Sequence, residues 1–218
     1  MKTTKLQQKY NDFIAFFAQN MPKAETELMY ETPYELLVAV MLSAQCTDKR
    51  VNMTTPAFFQ RFPSPESLAQ ASAEEIFPYI KSISYPNNKS KNLFGMAQVL
   101  VRDFGGVVPD NMDDLQKLPG VGRKTANVMM AVAFDKPAMP VDTHVFRVAN
   151  RIGLTQNSKS VLETEKVLVA HIPEDLLSKA HHWMIMHGRY VCMARKPKCE
   201  TCGASAFCDF FMKRKKSL

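Results

Sequence analysis

Cys192, Cys199, Cys202 and Cys208 stand in a C-x6-C-x2-C-x5-C array, while the fifth cysteine, Cys46, stands alone far upstream. Thiolates are soft ligands that suit zinc and iron–sulfur clusters. An odd number of cysteines, four of them clustered, argues against a disulfide framework and for a metal centre. Ligand chemistry alone leaves zinc and a cubane cluster both open. The loop between the first two cysteines carries Arg195, Lys196 and Lys198 around Pro197. A metal-closed loop would hold three cations in one place, where they could dock phosphates; the plainer reading is a solvated basic loop.

Leu118-Pro119-Gly120-Val121-Gly122 offers a second kind of chemistry. Proline stops a helix, and the two glycines are expected to allow positive φ and close approach of the backbone to a partner. The amides of Gly120, Val121, Gly122 and Arg123 would then gather at the start of a helix expected over 123–134. Such amides, with the positive end of the helix dipole, make an anion site that suits a DNA phosphate. The alternative is a tight helix–helix turn that binds nothing.

Lys124 falls at the second position of that helix, beside Arg123. A lysine becomes a nucleophile when its charged form is disfavoured by desolvation or by nearby positive charge. The helix dipole and Arg123 both act that way, and a phosphate on the hairpin would act against them. Asp142, in Pro140-Val141-Asp142-Thr143-His144, reads as the N-cap of a helix starting at Thr143. A carboxylate held so could stabilise positive charge on a sugar or help deprotonate Lys124. From residue types alone, Lys124 is more simply a solvated lysine and Asp142 a simple cap.

The elements that must position these groups read as helices. Leu6, Tyr10, Phe13, Ile14 and Phe17 recur at helical spacing. Thr32-Pro33-Tyr34-Glu35 reads as a capping box opening an apolar helix with Leu36, Leu37, Val40 and Met41. Asp48 is expected to cap the next helix. Ser64-Pro65 and Ser72-Ala73-Glu74-Glu75 start two short helices, and a longer one over 89–104 ends at Gly105-Gly106. Further helices are expected over 111–117, 143–152, 159–171 and 174–188, with Val107-Val108 the one β-like fragment. The fold class is therefore all-α. His144, His181, His182 and His187 are expected to be packed or hydrogen-bonded rather than ligands, although His144 is close enough to Asp142 in sequence to tune it.

Composition agrees with a folded chain. Of 218 residues, 46% are hydrophobic and 22% charged, ordinary globular usage with room for one large domain or two small ones. The net charge of +7 leans towards nucleic acid or an anionic surface. No apolar run approaches the roughly 20 residues that span a bilayer, and residues 1–13 lack the apolar core of a signal peptide. An intracellular setting follows, in which thiols stay reduced. The run Lys213-Arg214-Lys215-Lys216 either adds nonspecific DNA affinity or is a solvated tail.

The run LPGVGRKTANVMMAVAF, followed by PVDTHVFRVANRIGL, resembles the helix-hairpin-helix region of the endonuclease III family of DNA glycosylases. LLVAVMLSAQCTD (36–48) and HHWMIMHGRYVCMARKPKCETC (181–202) resemble the same family, so the likeness runs from about residue 25 to 208. The resemblance implies two helical lobes. One, over 26–135, is a helical-barrel bundle with the hairpin; the other joins 1–25 to 136–218 and holds a [4Fe–4S] cluster on the four cysteines. It implies an active-site cleft between the lobes, with Lys124 as nucleophile on one side and Asp142 as catalytic carboxylate on the other. The cluster is expected to be structural; with its thiolates it would lower the net charge to about +5.

The implied activity is that of a bifunctional glycosylase and abasic-site lyase, acting on oxidised pyrimidines in duplex DNA, with one chain acting as a monomer. Gln45 aligns with a glutamine that fills the space left by a rotated base; its plainer reading is a helix C-cap. Residues 81–87 match a second wedge loop, but relatives carry Gly-Leu-Tyr where this chain has Ser84-Tyr85-Pro86. Tyr85 could still stack on bases, while loop shape and opposite-base preference become open questions. Two alternatives compete. A monofunctional adenine-mismatch glycosylase sits poorly with Lys124 and with no added domain beyond Cys208. A noncatalytic iron–sulfur DNA-binding protein would leave Lys124 and Asp142 together unexplained.

Overall fold

A computed structural model describes residues 4–216 of the chain and the side chains of 4–215. The side chain of Lys216, last cation of the basic run, and residues 1–3 of the N-terminal stretch lie outside the described part. Every regular element among the described residues is helical, and Val107-Val108 forms no strand. The chain divides into two compact units, Glu27–Lys136 and Met1–Thr26 with Pro137–Leu218.

Helix α1 (Lys5–Asn20) belongs to the second of these units and is capped by the Thr4 hydroxyl, which accepts the Gln7 amide at 3.1 Å. The 27–136 unit begins with α2 (Pro33–Ser43). Thr32 caps it, but the Glu35 carboxylate accepts the amide of Glu31, not that of Thr32, so the expected box is only half made. All residues from Leu36 to Leu42 are buried. A helix apolar all round must be a core rod, and α2 packs against α3 (Asp48–Arg61), α6 (Pro86–Phe104) and α8 (Arg123–Val128). Asp48 does not cap α3; the Thr47 hydroxyl does, accepting the Arg50 amide, and Asp48 takes the first helical position, where its charge suits the dipole.

Between these lie α4 (Pro65–Ala69) and α5 (Ala73–Ile80), both opened by complete capping boxes. Helix α6 begins earlier than its apolar periodicity suggests, because Pro86 is preset for a first helical position. It ends at Gly105, in the left-handed region at φ 61°. Helix α7 (Met112–Leu115) is a single turn. The helix expected over 123–134 keeps α geometry only to Val128 and then widens into a π-turn over Met129–Ala133, a distortion often found at functional sites. Leu37, Leu42, Phe58, Leu93 and Met96 fill this unit's core.

The other unit is completed by α9 (Thr143–Ile152), α10 (Val161–His171), α11 (Leu177–Tyr190) and α12 (Asp209–Lys216). Val145, Val148, Ala149 and Ile152 are the buried face of α9. They share a core with Phe13 and Phe17 of α1 and with Trp183 and Met184 of α11. Two large ring groups in this core carry their polar atoms to backbone carbonyls. Trp183 Nε1 donates to the Met21 carbonyl at 2.8 Å, and the Tyr10 hydroxyl donates to that of Leu154 at 2.9 Å. Buried Lys9 donates to the carbonyls of Ile152 and Phe207 and pairs with Asp209, tying α1 to α12.

Candidate functional site

Lys124 is exposed and occupies the second position of α8. The hairpin before it is built by one glycine, not two. Gly120 has φ 79°, and a Cβ there would lie 2.8 Å from the Asn92 Cβ and 3.0 Å from the Met41 Cε. Gly122 is extended (φ −89°, ψ 176°) with open space around it, so it needs neither positive φ nor a missing Cβ. Its contribution is different: as N-cap it gives the first turn of α8 no side-chain hydrogen bond. Val121 is buried and its amide is taken by the Leu118 carbonyl at 3.0 Å, so Val121 fixes the turn and does not present its own amide. Arg123 is exposed at the first helical position.

Gln45 and Tyr85 are both exposed and both left-handed, at φ 55° and 56°. Non-glycine residues in that region cost roughly 1–3 kcal/mol each and cluster at functional sites. For Tyr85 the following Pro86 further disfavours helical backbone. The two tips are neighbours, since the Ser84 hydroxyl donates to the Gln45 carbonyl at 2.8 Å. Their bases are fixed by Lys89, which lay outside the sequence reading. Its buried ammonium donates to the carbonyls of Leu42 and Ala44 at 2.7 and 2.6 Å, closing the C-terminus of α2. Burial draws the Lys89 amine below the ordinary lysine value, and the nearby Cys46 opposes this. No local pattern announces such a cap, because donor and acceptors lie more than forty residues apart in sequence.

Asp142 lies in the other unit, half-buried at the N-terminus of α9. Its Oδ1 accepts the amides of His144 and Val145, each at 2.8 Å. Both bonds fall on one oxygen, so the carboxylate is oriented while Oδ2 stays available to a cationic partner. His144 Nδ1 meets Arg147 Nη2 at 3.1 Å, and the same guanidinium donates to the carbonyls of Gly188 and Cys192. Arg147 thus ties the helix capped by Asp142 to the first cysteine. The other histidines on α11 are packed. His181, His182 and His187 are buried, with burial pushing His182 down and His187 to about 4.

The four clustered cysteines line one pocket, walled by Ile152, Val191, Pro197, Ala204, Phe210 and Phe211. Among the described residues no three acidic, histidine or cysteine side chains converge as ligands for a single ion; the sulfurs ring a space instead. Burial pushes the Cys202 and Cys208 thiols up, and neighbouring cysteines reinforce this by opposing further negative charge. Were all four ionised, their charge in this apolar pocket would need a cationic core between them. Arg151 donates to Cys192 Sγ at 3.5 Å and to the carbonyls of Met193 and Ala194, with its guanidinium 4.6 Å over the Phe210 ring. Arg195, Lys196 and Lys198 are exposed on the same segment, Lys196 in the left-handed region at φ 51°.

Comparison with known proteins identifies the family. The sequence profile of the HhH-GPD superfamily base excision DNA repair proteins matches residues 38–174. Endonuclease III of Rickettsia prowazekii (strain Madrid E) is 45% identical over 202 residues, covering 93% of this chain and 95% of that protein. Endonuclease III of Bacillus subtilis (strain 168) is 47% identical over 195 residues, covering 89% of each. A solved structure of a trapped endonuclease III–DNA covalent intermediate, an estranged-adenine complex, superposes with a TM-score of 0.91 at 42% identity, covering 96% of this chain and 98% of that one. The chain belongs to the endonuclease III family within the HhH-GPD superfamily of base excision DNA repair proteins.

Proposed function

We propose that this protein is a base-excision repair enzyme: a bifunctional DNA glycosylase and abasic-site lyase that removes oxidised pyrimidines from duplex DNA. The observation that carries the reading is an exposed lysine on the first turn of a glycine-hairpin helix, in a chain similar over nearly its whole length to one trapped covalently on DNA. A substrate of chromosomal DNA implies an intracellular location, and no described helix is long and apolar enough to cross a membrane. The protein is read as acting alone, as a monomer.

The damaged base is rotated out of the duplex, which costs a few kcal/mol of lost stacking. The start of α8, with the positive end of its dipole, and the Arg123 side chain hold the phosphate backbone. The uncharged amine of Lys124 attacks C1′ of the sugar, the bond from C1′ to the base breaks, and the base leaves with the electron pair. Asp142, oriented through Oδ1, stabilises the positive charge that develops on the sugar and takes the proton that Lys124 releases. Ring opening gives a Schiff base between Lys124 and C1′. Loss of a C2′ proton then expels the 3′ phosphate, and hydrolysis of the Schiff base frees the lysine.

Cys192, Cys199, Cys202 and Cys208 fit a [4Fe–4S] cluster, which would supply a compact crosslink with a cationic core to this segment. Held in that way, Arg195, Lys196 and Lys198 present fixed charge to the DNA backbone. Borohydride reduction of the Schiff base tests the assignment. Wild type should give a covalent protein–DNA adduct on an abasic duplex, and undiminished adduct with Lys124→Ala would remove Lys124 from the reaction. The same assay in single turnover separates the competing readings: base release without nicking marks a monofunctional glycosylase, and binding alone a noncatalytic protein.

A further inference from the structure

We propose that Ser84 is a positioning residue that couples Gln45 and Tyr85 into a single two-pronged element for filling the vacated base position; this rests on the glycosylase reading above. Gln45 follows the end of α2 and Tyr85 precedes the start of α6, so each tip alone hangs from one helix terminus. The bases of both loops are anchored. Lys89 holds the carbonyls of Leu42 and Ala44, Ile83 is buried, and the Ser82 and Thr54 hydroxyls meet at 3.3 Å.

None of these anchors touches Gln45 itself. The described hydrogen bond that does is the one from Ser84 Oγ to the Gln45 carbonyl, at 2.8 Å. Fixing that carbonyl fixes the peptide plane after Gln45, and hence the direction in which its left-handed backbone projects the side chain. The donor is the residue immediately before Tyr85. One hydroxyl therefore sets the spacing and relative orientation of a polar amide and an aromatic ring. An amide can satisfy the unpaired edges of the orphaned base, while the ring can replace lost stacking. Both tips are exposed, so water can replace the Ser84 bond in a variant without unfolding the unit; what is lost is preorganisation.

The test measures dissociation constants for a duplex containing a tetrahydrofuran abasic analogue and for the matched intact duplex, together with thermal melting. Ser84→Ala should weaken binding to the analogue duplex by about three- to tenfold, the range of one net hydrogen bond. It should leave intact-duplex affinity and melting unchanged, and Ser84→Thr, which keeps the hydroxyl, should restore affinity. In a Gln45→Ala background the same Ser84→Ala change should lose less than about twofold, because there is no side chain left to position. Additive losses, equal loss on both duplexes with lowered melting, or an unaffected Ser84→Ala protein overturn the proposal while the glycosylase reading stands. Wild type with no preference for the analogue duplex overturns both.

Discussion

The ammonium of Lys89 lies 2.6 Å from the carbonyl oxygen of Ala44 and satisfies the end of the most deeply buried helix in the 27–136 unit. Replacement by methionine keeps the stem but leaves the Leu42 and Ala44 carbonyls without their charged donor. Lys89→Met should lose about 1.5–3 kcal/mol of stability, the range for hydrogen bonds to a charged group. Urea denaturation measures this directly, and an unchanged midpoint would mean water replaces the lysine at no loss.

The hairpin glycines should separate cleanly. Gly120→Ala places a Cβ at φ 79° against Asn92, and should destabilise by roughly 1–3 kcal/mol while weakening DNA binding. Gly122→Ala has compatible backbone and open space; its gain from a stiffer unfolded chain and its loss as a poorer N-cap oppose each other, so stability should change by less than about 1 kcal/mol. Paired thermal melts check the contrast.

Asp142 serves both as cap and, in the proposed reaction, as carboxylate, and two substitutions divide these roles. Asparagine keeps a capping oxygen for the amides of His144 and Val145, so Asp142→Asn should melt near wild type yet lose about 100-fold or more in single-turnover base release. Asp142→Ala should lose the activity and about 1 kcal/mol of stability as well. Full activity in the asparagine variant would reduce Asp142 to a cap.

Acid should weaken the fold through His182. Burial holds its imidazole below the ordinary value of 6.5, so the folded state keeps it neutral while the unfolded chain takes up a proton first. Its contribution is present above about pH 6.5 and is lost as pH falls towards its folded value. His182→Gln should flatten the slope of stability against pH in that window, as followed by denaturant titration at a series of pH values.

Metal analysis distinguishes the two centres that four thiolates could hold. The pocket should yield about four irons and four sulfides per chain, whereas a zinc centre would yield one metal ion and no sulfide. Removing the group should lower stability and abolish DNA affinity together, because the same segment carries Arg195, Lys196 and Lys198.

Local signals made most helices legible: proline after a hydroxyl residue, paired capping boxes, and glycine after the last turn mark α4, α5, α6 and α9. Thr47 rather than Asp48 caps α3 because both types cap well and only tertiary packing selects the register. The π-turn after Val128 was invisible since its residues have an ordinary helical pattern. The proposed catalytic residues and cysteine ligands owe their roles to motif resemblance, whereas Ser84, Lys89, Arg147 and Arg151 act across long sequence separations that no window contains.

The clasp between Lys9 and the carbonyl and carboxylate of Phe207 and Asp209 joins a helix made early to residues made late. During synthesis the continuous 27–136 segment can fold as it emerges from the ribosome, but Lys9 must wait for partners 198 and 200 residues further along the chain. The cysteine-bearing segment is tied down only once Phe207 and Asp209 exist, so the proposed cluster would have an open window for insertion until then.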